Sequence, residues 1–455
     1  MKRLLLIARY SKIEPLGLMY LATIAREEGW GVDIELAGQH NGEWIWGVIS
    51  GRCAQKYYDI IGMTVYTGTH MEAFDLCDRL RDGPNVTIIG GPHATCFPDE
   101  CAKHADYVVQ GEGLHSLRSI LRGKAEPGIM PFKTPEKLPL PDRRIFYDNY
   151  PKHFASPIKS VVAWTGCPYA CTYCYNSMGK GKFPLKKRPV EDVIRECENL
   201  MEVAPDTKLI YFQDDVFGPS TKWLEQFCWE YQSRVKIPFH CQTRVELLDP
   251  NKYLCQDRAT SLLDGGCTGV TIAIESADEE FRRDVLGRKM SNKDIRGAIW
   301  LLSDVGLKVR TEQMLGLPTQ RGIEADLETL KFNVELRQEF GEPTMAWASV
   351  FVPYYGTKIW DYCRNNGYYD SNNDDAPATF FERSVLNFDD EYKDKMLRLR
   401  DAFHLFALVP NGHELAGEWL YNEKSNLLDN LKTHLYDSVL YNVKGKDNGK
   451  EKDID

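Results

Sequence analysis

The segment Cys167-Pro-Tyr-Ala-Cys171-Thr-Tyr-Cys174 follows the apolar run Ile158-Lys-Ser-Val-Val-Ala-Trp164 and gathers three thiols in one short loop after a predicted strand. Three thiolates can hold three irons of a 4Fe-4S cube and leave the fourth iron open to a small molecule. A cluster that only carries electrons is closed by four cysteines. The competing reading is a structural zinc site, which takes four ligands in paired short spacings. No second cysteine pair lies nearby, so Cys167, Cys171 and Cys174 match the cluster better.

The elements that must position this loop are read from the surrounding pattern. IKSVVAWT, KLIYFQ, PFHCQTRV, GVTIAIE, LKVRTEQML and MAWASVFV read as strands, and helical patterns fall over 190–203, 220–234, 257–265, 292–305 and 323–339. These units, spanning 158–360, predict a partial (β/α)6 TIM-like barrel, whose chemistry belongs at the carboxyl ends of its strands. Those ends carry Gln213-Asp214-Asp215, Thr243-Arg244 and Glu275-Ser276. Arg310, Glu312 and Gln313 lie on the fifth strand, and Pro353-Tyr354-Tyr355-Gly356-Thr357 follows the sixth. Paired Asp214 and Asp215 also suit magnesium or manganese, but no further carboxylate cluster supports that reading. Arg244 and Glu275 equally fit an ordinary ion pair at the barrel rim.

Residues 1–125 alternate in the same way, with RLLLIA, VDIEL, DIIGMTVY, VTIIGG and DYVVQG as five short strands and LGLMYLATIAREEGW as a helix. This predicts an α/β, flavodoxin-like (Rossmann-type) doubly wound domain with ligands at the carboxyl ends of its parallel strands. Three such ends carry Tyr66-Thr67-Gly68-Thr69, Gly90-Gly91-Pro92-His93-Ala94-Thr95 and Gly111-Glu112-Gly113. Glycines there let a flat ligand approach the backbone, although any one of these loops is equally a turn at a helix start. Residues 126–157 contain Pro127, Pro131, Pro135, Pro139, Pro141, Pro151 and Pro157 and read as an extended linker.

PLGLMYLA, GGPHAT and ADYVVQGEG, followed by the linker and a CxxxCxxC loop with Tyr173 before its last cysteine, resemble the cobalamin-binding radical S-adenosylmethionine (SAM) family over residues 1 to about 360. The likeness is to its class B methyltransferases. It implies a 4Fe-4S cluster on Cys167, Cys171 and Cys174, and SAM contacts from Tyr173, Asp214, Asp215, Arg244, Glu275 and Gln313. SAM carries a sulfonium, an amino acid head and a ribose, so Glu275 is expected at the ribose hydroxyls or amino group and Arg244 at the carboxylate. The resemblance also implies cobalamin contacts from Tyr66, Thr67, Gly68, Gly90, Gly91, Pro92, His93, Gly111, Glu112 and Gly113. One departure matters. Cobalamin proteins with a histidine under cobalt carry it in a DxHxxG loop after the first strand, whereas this loop reads ARYSKIEPLG. No lower histidine ligand is expected, and His70 and His93 are read as loop or corrin-tail contacts.

The activity so implied is methyl transfer from methylcobalamin to an unactivated carbon, after a 5′-deoxyadenosyl radical from SAM has removed a hydrogen atom. A second SAM remethylates cobalt, and a ferredoxin- or flavodoxin-type donor supplies the electron. A cyclase or rearranging enzyme without net methylation is the alternative, and a non-catalytic corrinoid or SAM sensor a third reading. A protein or peptide side chain leads among the substrates, ahead of a small natural-product scaffold or a lipid or tetrapyrrole precursor.

Net charge is -10 with both signs interspersed, which gives no electrostatic reason to expect nucleic acid. No segment is long and apolar enough to span a bilayer, and MKRLLLIARYSKIEPLG reads as a first strand and not a signal peptide, so a cytoplasmic protein is expected. The 13 cysteines show no repeating spacing, and most read as reduced, buried thiols suited to a reducing, anaerobic cell. Residues 361–443, with helix-like EYKDKMLRLRDAFHLFALV, read as a small, mainly helical domain completing the substrate pocket, and 444–455 as a disordered tail.

Overall fold

Five consecutive buried residues in strand β1 (Arg3–Arg9) are the mark of a strand covered on both faces. Leu4, Leu6 and Ala8 pack with helices Leu16–Glu27 and Leu114–Leu121, while Leu5 and Ile7 pack with Phe74, Leu76 and Leu80 of helix His70–Leu80. The computed structural model describes residues 1–40, 43–44, 58–133, 137–178, 185–248, 253–341, 344–370, 376–377, 379 and 381–422. β1 is joined by β2 (Gly31–Ala37), β3 (Ile60–Thr64), β4 (Val86–Gly90), β5 (Tyr107–Val109) and β6 (Gly128–Met130) in one parallel sheet of order β2-β1-β3-β4-β5-β6. The order reverses between β1 and β3, and ligand crevices open at such a point.

β6 corrects the reading of residues 126–157 as an extended connector. Three residues are too few to show alternation among so many prolines, yet they extend the sheet beside Tyr107–Val109. Phe132, just beyond, lies so close to Gly111 that a Cβ there would stand 1.8 Å from its ring. The rest of the span holds helices Arg143–Tyr147 and Pro151–Ala155. Arg143 is fully buried: it reaches Glu14 (3.3 Å) in the first domain, and the Ser160 carbonyl (2.7 Å) and Glu196 (3.1 Å) in the second. Glu196 also accepts from Tyr20 (2.9 Å) and pairs with Arg188 (2.7 Å). The connector is therefore a packed spacer.

The second sheet comprises β7 (Ile158–Val161), β8 (Leu209–Phe212), β9 (Phe239–Thr243), β10 (Cys267–Glu275), β11 (Lys308–Leu315) and β12 (Thr344–Val350), all parallel and adjacent in chain order. Helices Val190–Val203, Thr221–Arg234, Tyr253–Asp264, Asn292–Asp304 and Ile323–Phe340 alternate with them, giving the partial barrel. A short antiparallel pair, Trp164–Thr165 with Lys186–Lys187, closes the base of the cysteine loop.

Helices Lys358–Asn365, Asp390–Phe406 and Gly412–Asn422 follow. Met396, Leu399 and Phe403 pack on Ala346, Ala348 and Val350 of β12, so this helical region forms a separate hydrophobic cluster with the last strands of the barrel. Asp326 ties it down, accepting from the Gly316 amide (3.1 Å) and the Tyr392 hydroxyl (2.9 Å). Residues 423–443 and the tail 444–455 lie outside the described residues. No helix among the described residues is long and apolar enough to cross a membrane.

Candidate functional site

The cysteine loop leaves the carboxyl end of β7 and is fixed by main-chain bonds to its neighbours. Thr172 donates its amide to the Leu286 carbonyl (3.0 Å) and its hydroxyl to that of Val285 (2.6 Å), while its own carbonyl accepts from Ile359 (3.2 Å). Cys167, Cys171 and Cys174 are all free thiols, Cys171 the most buried. Burial pushes the Cys174 thiol up to about 12 and raises that of Cys167. A bound metal reverses this, because a coordinating thiol is deprotonated. Three soft donors on one loop, with the Arg244 guanidinium 3.2 Å from the Cys171 sulfur, fit a three-cysteine iron-sulfur cluster.

Tyr173 turns to the end of β10, where its hydroxyl donates to the Glu275 carboxylate at 2.5 Å. Glu275 has a φ of 72°, a conformation costly for a residue with a side chain, and it follows an irregularity in the β10–β11 pairing. Arg288 completes the group, 3.2 Å from the Tyr173 hydroxyl and 3.6 Å from Glu275. Burial raises the Glu275 carboxyl, opposed by Arg288 and by the Tyr173 hydrogen bond. Sequence reasoning missed Arg288, which lies in the loop after helix Glu279–Asp284 and not at a strand end.

The remaining SAM candidates separate. Asp215 is exposed and accepts from Asn176 (3.0 Å), two residues beyond Cys174. Asp214 is buried and accepts from the amides of Ala163 and Trp164, each at 2.8 Å, so it latches β8 to the strand that carries the cysteine loop. Gln313 is corrected as a ligand contact. Alternation along β11 turns Arg310 and Glu312 one way, where Arg310 bonds Glu312 and Tyr211, and turns Gln313 toward the helix layer. There its amide donates to the Trp347 carbonyl (2.8 Å) and accepts from Asn333 (3.1 Å). Arg244, expected at a SAM carboxylate, instead divides its donors between Cys171 and Glu246.

In the first domain the three glycine loops are bonded to one another. The Thr95 hydroxyl donates to the Gly91 carbonyl and accepts from the Gly111 amide, both at 2.8 Å, and Thr67 meets His93 Nδ1 at 2.9 Å. Gly90, Pro92 and Gly113 flank these contacts: Gly90 ends β4, Pro92 opens helix Pro92–Cys96, and Gly113 precedes helix Leu114–Leu121. His93 Nδ1 is taken by Thr67, and its Nε2 lies 3.3 Å from Glu100. The ring is buried, stacked on His70 at 4.2 Å, with its pKa lowered to about 3 by burial and then by His70. It serves the cup by holding Thr67. His70 is also buried and accepts from the Gly68 amide (3.2 Å). Gly68 has a φ of 94°, and a Cβ there would stand 2.3 Å from the Pro377 carbonyl, so the C-terminal region packs on this loop. Tyr66 is 51% exposed at the mouth. The glycines of these loops serve close packing within the chain itself: Phe132 lies on Gly111, Pro377 on Gly68, and Thr64 and Val65 on Gly91.

The carboxyl ends of the two sheets face each other. Glu112 accepts from Thr165 (3.3 Å) and pairs with Lys186 (3.5 Å), and the Phe97 ring lies 4.9 Å from Tyr355, which follows β12. The cysteine loop and the glycine loops therefore lie at facing ends of the two sheets.

Comparison with known proteins agrees with this architecture. The family model described as B12 binding domain matches residues 2–121, and that of the radical SAM superfamily matches residues 161–330. An uncharacterized methyltransferase of Pyrococcus horikoshii is 25% identical over 379 residues, covering 77% of this chain and 79% of the relative. The bacteriochlorophyllide d C-12(1)-methyltransferase of Chlorobaculum tepidum is 26% identical over 292 residues, covering 61% of this chain and 59% of the relative. Among solved structures, the radical SAM methyltransferase TsrM of Kitasatospora setae, with cobalamin and a [4Fe-4S] cluster bound, superposes with a TM-score of 0.58 at 17% identity, covering 82% of this chain and 80% of that one. The cobalamin-dependent SAM radical enzyme OxsB, with aqua-cobalamin bound, gives 0.66 at 14% identity over 97% of this chain and 76% of its own. At these identities the superpositions speak for the fold. The two domain matches, the shared fold and the three-cysteine loop facing the glycine cup place this chain in the family of cobalamin-binding radical SAM enzymes.

Proposed function

We propose that this protein is a methyltransferase that uses a 4Fe-4S cluster, SAM and cobalamin to place a methyl group on an unactivated carbon, with a protein or peptide side chain as its substrate class. The observation that carries the reading is the opposition of the two sets of strand ends, joined by Glu112 to Thr165 and Lys186 and by Phe97 to Tyr355. When bound, the cluster and SAM supply a hydrogen-abstracting radical, and cobalamin supplies the methyl group.

The chain's own part is to hold and align. Cys167, Cys171 and Cys174 are the iron ligands. Glu275, set by Tyr173 and Arg288, offers a carboxylate to ribose hydroxyls or an ammonium group. The Thr67, Gly91 and Gly111 loops at the facing strand ends would hold cobalamin opposite the cysteine loop. Ala376 and Pro377 pack on Gly68, and Glu382 pairs with Arg9 (3.3 Å), so the C-terminal region also touches the first domain beside these loops.

The test is anaerobic reconstitution with SAM, cobalamin and a one-electron donor, followed by mass spectrometry of the proteome with and without the protein. A gain of one methyl unit on a peptide carbon, with two SAM consumed per turnover, is the expected result. A methylated tetrapyrrole or other small molecule would move the substrate class, and a product of unchanged mass would replace methylation by rearrangement.

A further inference from the structure

The Arg244 guanidinium is held on three sides. Glu246 takes one edge, with Nη2 to Oε1 at 2.5 Å and Nε to Oε2 at 3.1 Å. The Tyr169 ring lies beneath, 4.0 Å from the guanidinium carbon. The remaining nitrogen, Nη1, points at the Cys171 sulfur at 3.2 Å. Both Arg244 and Cys171 are buried. Two-point pairing with a carboxylate fixes the plane of an arginine, and stacking on an aromatic face fixes its tilt. The aim at one sulfur is thus imposed by residues that do not themselves touch it, and Tyr169 belongs to the cysteine loop.

We propose that Arg244 is a positioning residue that sets the reduction potential of the cluster through its N–H···S hydrogen bond to Cys171. The inference rests on the reading of the three cysteines as cluster ligands. A thiolate sulfur bound to iron carries more negative charge when the cluster is reduced. A cationic donor fixed against it therefore stabilises the reduced state more than the oxidised one and raises the potential, an effect enlarged by the low dielectric of a buried site. Glu246 works in the opposite sense: its charge offsets part of the guanidinium's while its geometry holds the donor in place.

The experiment is redox titration of the reconstituted, SAM-free full-length protein, followed by electron paramagnetic resonance of the reduced cluster, with iron counted in each sample. Arg244→Gln should lower the reduced-to-oxidised ratio at a fixed poise about tenfold, as the loss of one hydrogen bond to a charged group implies, or about 59 mV for a one-electron couple. Arg244→Lys, which keeps the charge and loses the fork, should fall between. Glu246→Gln should move the potential upward. An Arg244→Gln protein with its full iron content and an unchanged potential would overturn the proposal, above all if it had instead lost affinity for SAM. If Arg244→Gln does not retain iron, Glu246→Gln decides: a rise supports the proposal and an unchanged potential refutes it. Failure of the unsubstituted protein to hold about four irons would instead remove the cluster reading itself.

Discussion

Tyr173 and Glu275, 102 positions apart in the chain, meet at 2.5 Å and join the cysteine loop to the end of β10. Glu275 holds this contact from a backbone conformation with φ at 72°. The neighbouring Arg288 keeps a negative charge tolerable there. Glu275→Gln preserves the side chain's shape and removes the charge. It should weaken SAM binding about tenfold, the scale of one hydrogen bond to a charged group, with iron content unchanged. Equilibrium binding of SAM to the reconstituted protein measures this, and an unaltered affinity would take Glu275 out of the site.

Cys171→Ala removes the most buried of the three thiols. Two remaining cysteines cannot hold a site-differentiated cube, so the variant should lose most of its iron and all SAM cleavage. Iron analysis and 5′-deoxyadenosine release after chemical reduction provide the check. Retention of about four irons with cleavage intact would mean that the loop has been misread.

The barrel was largely legible because its signals are long. Helix Val190–Val203 has the bounds read from its pattern, and Ser291 caps helix Asn292–Asp304 where periodicity begins. Buried strands such as β8, with every residue inside, announce themselves as apolar runs. Short or side-dependent features were not legible. β6 is three residues long, and Arg288 enters the site from a loop whose position depends on the packing of helix Glu279–Asp284. The side occupied by Gln313 was recoverable in principle: Arg310, Glu312 and Met314 share one face of β11, and the residue between them must point the other way.

Glu196 is buried between Arg143 and Arg188 and receives the Tyr20 hydroxyl, which binds first domain, spacer and barrel together. Glu196→Ala would leave Arg188 without its paired carboxylate and Arg143 with Glu14 alone, in a site closed to water. Removing one member of a buried pair costs about 3–5 kcal/mol, so a large loss in denaturant resistance is expected. Replacing Glu196 and Arg143 together by apolar residues should recover part of it. A small effect of the single substitution would show that water reaches the network.

Asp326 predicts a pH dependence. Its carboxyl is raised to about 7 by burial, against the lowering effects of the Gly316 amide and the Tyr392 hydroxyl. Between about pH 4 and about pH 7 the folded protein holds a proton that the unfolded chain has released, so stability should fall as pH rises through that window, by up to about 1.4 kcal/mol per pH unit. Asp326→Asn cannot release the proton and should flatten this part of the profile. Urea denaturation across the window tests it; equal slopes in the two proteins would assign the dependence elsewhere.

The last prediction concerns cobalt. The loop after β1 contains no histidine, and the two histidines at neighbouring strand ends are buried and engaged: His70 accepts from Gly68, His93 meets Thr67, and their rings stack at 4.2 Å. Both rings are buried, so either would have to leave its present position to reach a corrin on the outer side of the glycine loops. Cobalamin should therefore be held without a protein nitrogen on its lower face, with the dimethylbenzimidazole displaced. Loss of a strong axial donor favours the low-coordinate, reduced state of cobalt. Electron paramagnetic resonance of cob(II)alamin bound to the full-length protein reads this directly, since an axial nitrogen splits each cobalt line into a triplet. Unsplit lines are expected, in the unsubstituted protein and in His93→Phe alike, with His93→Phe binding cobalamin more weakly because Thr67 has lost its support. A triplet that disappears in His93→Phe would show that the histidine leaves its buried position to ligate the metal.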